Sequence, residues 1–303
     1  MRKYFFSLIV LIVFFLSGTL FGTALDFIPA SAVYAVSFDL KRIASLTCSG
    51  EMIRPSQQKM LDSLRSAGST RLTIAGGNGW NVVLIDFSCP RETVLALLAG
   101  NGVLVNAVDV NGQTFYKADQ WQFWHFPSVK NPMFTFLSGN VLAVMEQSRI
   151  SAASEAVRKK TPAVFGQEIV WASIAADRMP VPKLPQVEET MKMMLRGSRR
   201  LFMKLDSAGA KQEDILFELG SECKNSDSAN FAAYMLPVGM VMGLNLLCAS
   251  DAELCNRLAG AIEPGVSGKT AYARLRVPPE LLPRIGNALQ NAVQALQKQK
   301  TAP

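Results

Sequence analysis

The sequence contains 303 residues, of which 49% are hydrophobic and 18% are charged, and its formal net charge is +7 at pH 7. This length and apolar content are sufficient for one large or two medium hydrophobic cores, so we expect a globular protein. The basic residues are spread along the chain and are not gathered with stacking aromatic residues. Nucleic-acid binding is therefore not expected.

Residues 1–25 have the three parts of an export signal. Arg2-Lys3 is followed by an apolar run, Phe5–Leu16, and Gly22-Thr23-Ala24 supplies small residues for cleavage. We therefore expect a periplasmic or secreted protein. The alternative is an uncleaved anchor that holds an extracytoplasmic domain, because no further charge occurs before Asp26. This segment would then be the chain's contact with the membrane.

Residues 26–162 form the first of two predicted halves. The pattern predicts a strand, Val33–Phe38, that ends at Asp39, and then a helix, Ser56–Arg65. The elements predicted next are a hairpin (71–75 and 81–87), a helix after Cys89-Pro90 to about Leu98, strands at 104–110, 114–117, 134–137 and 141–145, and a helix at 150–159.

Residues 163–303 form the second half, and the same order of elements begins again. A strand, Val170–Ala176, ends at Asp177 and precedes a helix, Val187–Leu195. The elements predicted next are a hairpin (200–205 and 215–219), helices from about Ser228 and from the capping box Ser250-Asp251-Ala252-Glu253, a strand at 270–277, and a helix from Pro278-Pro279-Glu280 to about Gln297.

The recurring order predicts an α+β fold of two similar half-repeats. Each half approximates a split βαβ unit, in which helices cover one face of an antiparallel sheet. The alternative is a chance echo between the two halves of an ordinary α+β chain.

The sequence also resembles exported proteins of planctomycete-type bacteria. The resemblance rests on Ile28-Pro29 before the first strand and on the region Glu222–Leu282, where Cys223-Lys224-Asn225-Ser226-Asp227 ends a strand and precedes an apolar helix. The turn Gly268-Lys269-Thr270 follows in the same region. This resemblance is one of pattern and implies a tandem α+β fold and an export signal, without an activity.

A segment rich in aromatic residues contains the candidate ligand-binding residues. Trp121, Trp124 and the single histidine, His125, lie within six residues, and flat rings can form a platform for a sugar or a peptide. The structural alternative is that these rings fill the core or cover a sheet edge. His125 lacks a neighbouring nucleophile and an orienting carboxylate, so no catalytic role is predicted for it.

Several other features have simpler structural interpretations. Asp39 and Asp177 could supply two carboxylates, but strand-end aspartates usually cap the next turn. Gly268-Lys269-Thr270 leads into a strand, whereas a phosphate-binding loop must lead into a helix. The uncharged segment Ser228–Ser250 could span a membrane, but Pro237 and its acidic flanks favour a core helix.

The five cysteines, Cys48, Cys89, Cys223, Cys248 and Cys255, allow at most two intramolecular disulfides. Their spacing predicts neither a metal site nor a redox motif, and the pairing cannot be deduced. Cys248 and Cys255 would be too far apart within one helix and can pair only across a helix break.

Taken together, these patterns predict an exported, non-enzymatic interaction or structural protein without a cofactor, whose partner is a protein or a small molecule. The first alternative is a periplasmic protein that binds a ligand through the aromatic segment. The second is a hydrolase whose two carboxylates are dispersed in the sequence.

Overall fold

The computed structural model describes residues 27–29, 31–45, 65–100, 105–110, 112–118, 131–158, 168–179, 185–208, 214–248, 251–288 and 291. The described chain forms two compact units, with residues up to Ala172 in the N-terminal unit and residues from Ser173 in the C-terminal unit. Cys48, Trp121, Trp124, His125 and most of the predicted helix Ser56–Arg65 lie outside the described residues.

The N-terminal unit contains seven described strands and three described helices. They are β1 (Tyr34–Asp39), α1 (Leu40–Ser45), β2 (Ser69–Gly77), β3 (Trp80–Phe87), α2 (Arg91–Gly100), β4 (Val105–Val110), β5 (Gln113–Ala118), β6 (Pro132–Ser138), β7 (Val141–Glu146) and α3 (Ile150–Arg158). The strands pair antiparallel in the order β1-β2-β3-β7-β6-β5-β4. The predicted hairpins of this half are therefore confirmed.

The C-terminal unit is built in the order β8 (Val170–Ala175), α4 (Pro185–Gly197), β9 (Ser198–Ala208), β10 (Asp214–Cys223), α5 (Ser226–Leu247), α6 (Ala252–Ala259), β11 (Ile262–Ser267) and β12 (Thr270–Val277). Strand β8 contains the point at which the chain leaves the N-terminal unit. The strand order is β8-β9-β10-β12-β11, and β9, β10, β12 and β11 pair antiparallel. A further helical segment occupies residues 282–288. The predicted α+β class with antiparallel sheet is confirmed.

The strand order differs from that of a split βαβ unit, in which a third strand separates the two strands joined by the first helix. Here β1 pairs directly with β2, with Asp39 opposite Arg71. Strand β8 lies beside β9 in the same way. At this position Asp39 forms an ion pair with the buried Arg71, which the sequence pattern does not display.

The core of the N-terminal unit lies on both faces of its central strands, whereas the sequence predicts one covered face. Val82–Ile85 of β3 and Val141–Met145 of β7 are fully buried. Alternate residues of these strands pack against Ile150, Ala153 and Val157 of α3. A continuous apolar run of this kind is typical of a strand that is buried on both sides.

The core of the C-terminal unit lies between α5 and the sheet. Five residues at helical spacing are buried on this side of α5 (Ala229, Ala232, Leu236, Met240 and Leu244), together with Ala271, Ala273 and Leu275 of β12. Tyr234, Val238 and Met242 lie on the exposed side of the helix. The core-helix interpretation of residues 228–250 is thus confirmed for this buried side. Among the described residues, no helix combines the length and apolarity that a bilayer span requires.

Strand β11 is an element that the sequence pattern does not predict. It contains Pro264 and Gly265, two residues that are rare in strands. Proline is tolerated here because β11 is the last strand of the order, and the ring of Tyr272 lies against Gly265 from the neighbouring strand.

The turn into β12 has Gly268 at φ +61°, so the Gly268-Lys269-Thr270 segment is a hairpin turn and not a phosphate-binding loop.

A buried arginine links three parts of the N-terminal unit. Arg71 is 3% exposed; its Nη2 lies 3.5 Å from Oδ2 of Asp39 and donates to the carbonyl oxygen of Glu168 at 3.2 Å. Burial lowers the pKa of Arg71, and Asp39, Asp86 and Glu168 act against this by favouring the charged form. Asp39 also accepts from the backbone N–H of Arg42, which confirms its predicted capping role.

We predict that Arg71→Met lowers the free energy of unfolding by about 3 kcal/mol, because the buried Asp86 loses a neighbouring cation. Lys117→Met is the control, since Lys117 is exposed in the same unit, and it should change stability by less than about 0.5 kcal/mol. Urea denaturation followed by circular dichroism measures both values. Equal stabilities for the two variants would contradict this role of Arg71.

A second prediction concerns two glycines of the C-terminal unit with opposite surroundings. A methyl group at Gly220 would collide with the ring of Phe202, its partner across β9 and β10. A methyl group at Gly239 on α5 would meet nothing within 4 Å. Gly220→Ala should therefore destabilise by about 1–3 kcal/mol, and Gly239→Ala should stabilise the helix by up to about 1 kcal/mol. Thermal unfolding of the two variants should shift the melting temperature in opposite directions; shifts of the same sign would be inconsistent with this packing.

Candidate functional site

Of the candidate ligand-binding and disulfide residues, four lie among the described residues, and all four are free cysteines. Cys89 is partly exposed, and Cys223, Cys248 and Cys255 are buried. The thiol of Cys255 donates to Oδ1 of Asn245 at 2.9 Å. Burial, with smaller effects of Cys255 and Asp251, raises the pKa of Cys248 to about 11, so this thiol is protonated and unreactive at neutral pH.

The two strand-end aspartates have different surroundings. Asp39 belongs to the N-terminal unit and is engaged by Arg71 and by the turn that it caps. Asp177 belongs to the C-terminal unit, where its side chain is 75% exposed and lies 3.4 Å from the guanidinium of Arg178. Within the part of the chain that the structure describes, no three metal-ligating side chains form a cluster.

The structure instead identifies a pocket that the sequence did not indicate, with a volume of about 580 Å³. We call it the cationic pocket, because four of its lining residues are basic: Lys192, Arg196, Arg199 and Lys224. The others are Ala176, Asp177, Met179, Leu195 and Ser198. Its volume is that of a small organic ligand, and the pocket is largely open to solvent.

Helix α4 supplies two of the four cations through its periodicity. Lys192 and Arg196 are four residues apart, and Leu195 lies one position before Arg196, so one side of the last helical turns contributes both charge and apolar surface. The helix is predicted by its apolar spacing, but it continues to Gly197 and the next residue already belongs to β9. Arg199 is therefore placed close after Arg196.

Four hydrogen bonds hold this junction between α4 and β9. The backbone N–H of Lys224 donates to the carbonyl oxygen of Gly197 at 2.9 Å. The side-chain Nζ of Lys224 donates to the carbonyl oxygen of Arg196 at 2.6 Å. The hydroxyl of Ser198 donates to the carbonyl oxygen of Met194 at 2.7 Å and accepts from the hydroxyl of Ser221 at 2.7 Å. The ammonium of Lys224 thus also satisfies a carbonyl at the C-terminal end of a helix, where a cation is stabilising.

Close contact between two helices defines the same junction. A methyl group at Gly197 would lie 2.8 Å from Oγ and 2.9 Å from Cβ of Ser228, a residue in the first turn of α5. Asn225 caps that turn by accepting from the N–H of Ser228 at 2.8 Å. The absence of a side chain at Gly197 therefore allows α4 to end against the start of α5.

Two of the pocket cations form ion pairs with acidic residues at the protein surface. Lys192 pairs with Glu189 at 3.2 Å, and Arg199 lies 4.0 Å from Glu222; all four side chains are at least one-third exposed. Such exposed pairs contribute little energy, so a ligand anion can replace the carboxylate at small cost. The described residues that line the pocket include four cations and one carboxylate, which suits it to bind an anion.

No family model matches the sequence, and no curated protein is significantly similar to it. Solved structures with a similar chain include crystal form III of TP0453, at 12% identity and a TM-score of 0.42. The match covers 87% of this chain and 97% of the TP0453 chain. Crystal form I of TP0453 gives 13% identity and a TM-score of 0.41, with 87% and 96% of the two chains covered. No residue role is transferred from these structures.

We predict that Gly197→Ala destabilises the protein by about 1–3 kcal/mol through the collision with Ser228. Ser228→Gly removes the colliding atoms, so the double variant should regain most of the stability lost by Gly197→Ala. A double-mutant cycle measured by chemical denaturation gives the coupling. Additive effects of the two substitutions would contradict the close contact.

Proposed function

We propose that this protein is an exported, non-catalytic interaction protein whose C-terminal unit binds an anionic ligand in the cationic pocket. The observation that carries the proposal is the convergence of Lys192, Arg196, Arg199 and Lys224 on one pocket. These residues span 33 positions of the sequence and are brought together by the junction of α4 with β9.

The composition of the pocket supports a specific type of ligand. The guanidinium groups of Arg196 and Arg199 offer paired donors to carboxylate or phosphate oxygens, and the two lysines add point charges. Met179, Leu195 and Ala176 provide apolar surface for the body of the ligand. A compact organic anion uses both properties, whereas a purely apolar ligand would use the apolar surface alone.

The duplication predicted from the sequence forms part of this proposal. Its support is the strand order. The first five strands of the N-terminal unit have the order β1-β2-β3-β7-β6, and the hairpin β5-β4 follows as an addition. The C-terminal unit has the corresponding order β8-β9-β10-β12-β11. In both units a helix follows the second strand of the first hairpin. On this proposal the cationic pocket arose in the second copy.

The two alternative functions predicted from the sequence require other sets of residues. A hydrolase of the two-carboxylate type requires two acidic residues at one pocket, and Asp177 is the one carboxylate among the described residues that line the cationic pocket. Ligand binding by Trp121, Trp124 and His125 concerns residues outside the described ranges and stays a prediction, as do the export signal and the resemblance to exported planctomycete-type proteins.

We predict that the full chain binds pyrophosphate at low ionic strength and that the double variant Lys192→Gln/Arg196→Gln weakens binding by about tenfold or more. The matched control, Arg257→Gln/Lys269→Gln, removes the same charge from exposed positions outside the pocket and should change the affinity by less than about threefold. Isothermal titration calorimetry at two salt concentrations measures the affinities. Absence of binding, or equal losses in both double variants, would refute the proposed site.

A further inference from the structure

Among the described residues that line the cationic pocket, Asp177 is the one carboxylate. Asp177 follows strand β8 in a short 3-10 turn, Ala176–Arg178, and its side chain is 75% exposed. Its ion pair with Arg178 is formed between neighbouring residues that are both substantially exposed. Such a pair adds little to stability, so Asp177 is not required by the fold.

Asp39, which ends the corresponding strand of the N-terminal unit, shows what a structural aspartate looks like in this setting. It pairs with the buried Arg71 and accepts a backbone N–H from Arg42. In the C-terminal unit, the arginine at the corresponding place in the hairpin, Arg200, donates instead to Oγ of Ser173 at 2.9 Å. Asp177 pairs with the exposed Arg178 and lines the pocket, whereas Asp39 pairs with a buried arginine.

A carboxylate opposes the binding of a simple anion through like-charge repulsion. It favours a ligand that presents a positive group at the same place, and a repulsive group of this kind is a usual source of specificity. A ligand hydroxyl could be bound equally well by a neutral side chain, without repelling the anion. A full negative charge is therefore best matched by an ammonium group.

We infer that the ligand of the cationic pocket is a zwitterion, with a phosphate or carboxylate for the four cations and an ammonium group for Asp177. Asp177 is then the residue that determines specificity between zwitterionic and simple anions. This inference rests on the proposed function, because it concerns the ligand of the same pocket.

Ethyl phosphate and phosphoethanolamine test the inference, since they share a phosphate ester and differ by an ammonium group. The ratio of their dissociation constants is measured for the full chain and for Asp177→Asn by calorimetry. Asp177→Asn should tighten the binding of ethyl phosphate and should weaken the binding of phosphoethanolamine or leave it unchanged. The ratio of the two dissociation constants should therefore shift by about fivefold in favour of ethyl phosphate. Glu280→Gln is the control, because it removes the same charge from an exposed position outside the pocket and should leave the ratio unchanged.

The possible outcomes separate the two levels of the proposal. If both esters bind and Asp177→Asn leaves the ratio unchanged, or if Glu280→Gln shifts it equally, the zwitterion inference is overturned and anion binding stands. If neither ester binds to the full chain but pyrophosphate does, the zwitterion inference is overturned and anion binding stands. If none of the three binds, the proposed function itself fails.

Discussion

The direct passage of helix α4 into strand β9 is the constraint on which the site depends. Only one peptide bond, between Gly197 and Ser198, separates the last helical residue from the first strand residue. The bonds from Lys224 to the carbonyl oxygens of Arg196 and Gly197 fix the end of β10 against this junction. Because Gly197 has no side chain, the first turn of α5 packs against it. Four elements, α4, β9, β10 and α5, therefore meet at one point, and each contributes a residue to the pocket or its support.

The two units use charged residues in different ways. In the N-terminal unit, Arg71 is buried, and the loss of hydration that lowers its pKa is offset by carboxylates and a carbonyl oxygen around it. This arrangement lies at the end of β1, where Asp39 is opposite Arg71 of β2. In the C-terminal unit, the ion pairs of Lys192 and Arg199 lie at the surface, where all four side chains are at least one-third exposed. Removing one partner of a buried charge is costly, whereas exposed ion pairs contribute little energy and can exchange partners.

Much of the fold follows from local patterns that the sequence displays. Apolar strand patterns predicted the hairpins β2-β3 and β9-β10, and turn glycines supported the first of them. The capping box Ser250-Asp251-Ala252-Glu253 predicted the start of α6, but the N-cap is Asp251, which accepts from the N–H of Leu254. Strand β11 was not predicted, because Pro264 and Gly265 suit a strand only at a sheet edge beside Tyr272. The pocket was not predicted either. Its cations are dispersed in the sequence, and the spacing of Lys192 and Arg196 by one helical turn is also typical of a solvated helix surface.

Nuclear magnetic resonance of the ¹⁵N-labelled full chain, titrated with inorganic phosphate, tests the central claim most directly because it locates the bound anion without any substitution. We expect saturable shifts of the backbone amide signals of Arg196, Gly197, Ser198, Arg199 and Lys224, which lie at the junction that forms the cationic pocket. Signals of Arg257 in α6 and Arg276 in β12, two exposed basic residues outside the pocket, should not move. Shifts that are spread over all basic surface segments, or that leave the junction unaffected, would contradict the assignment of this pocket as the anion-binding site.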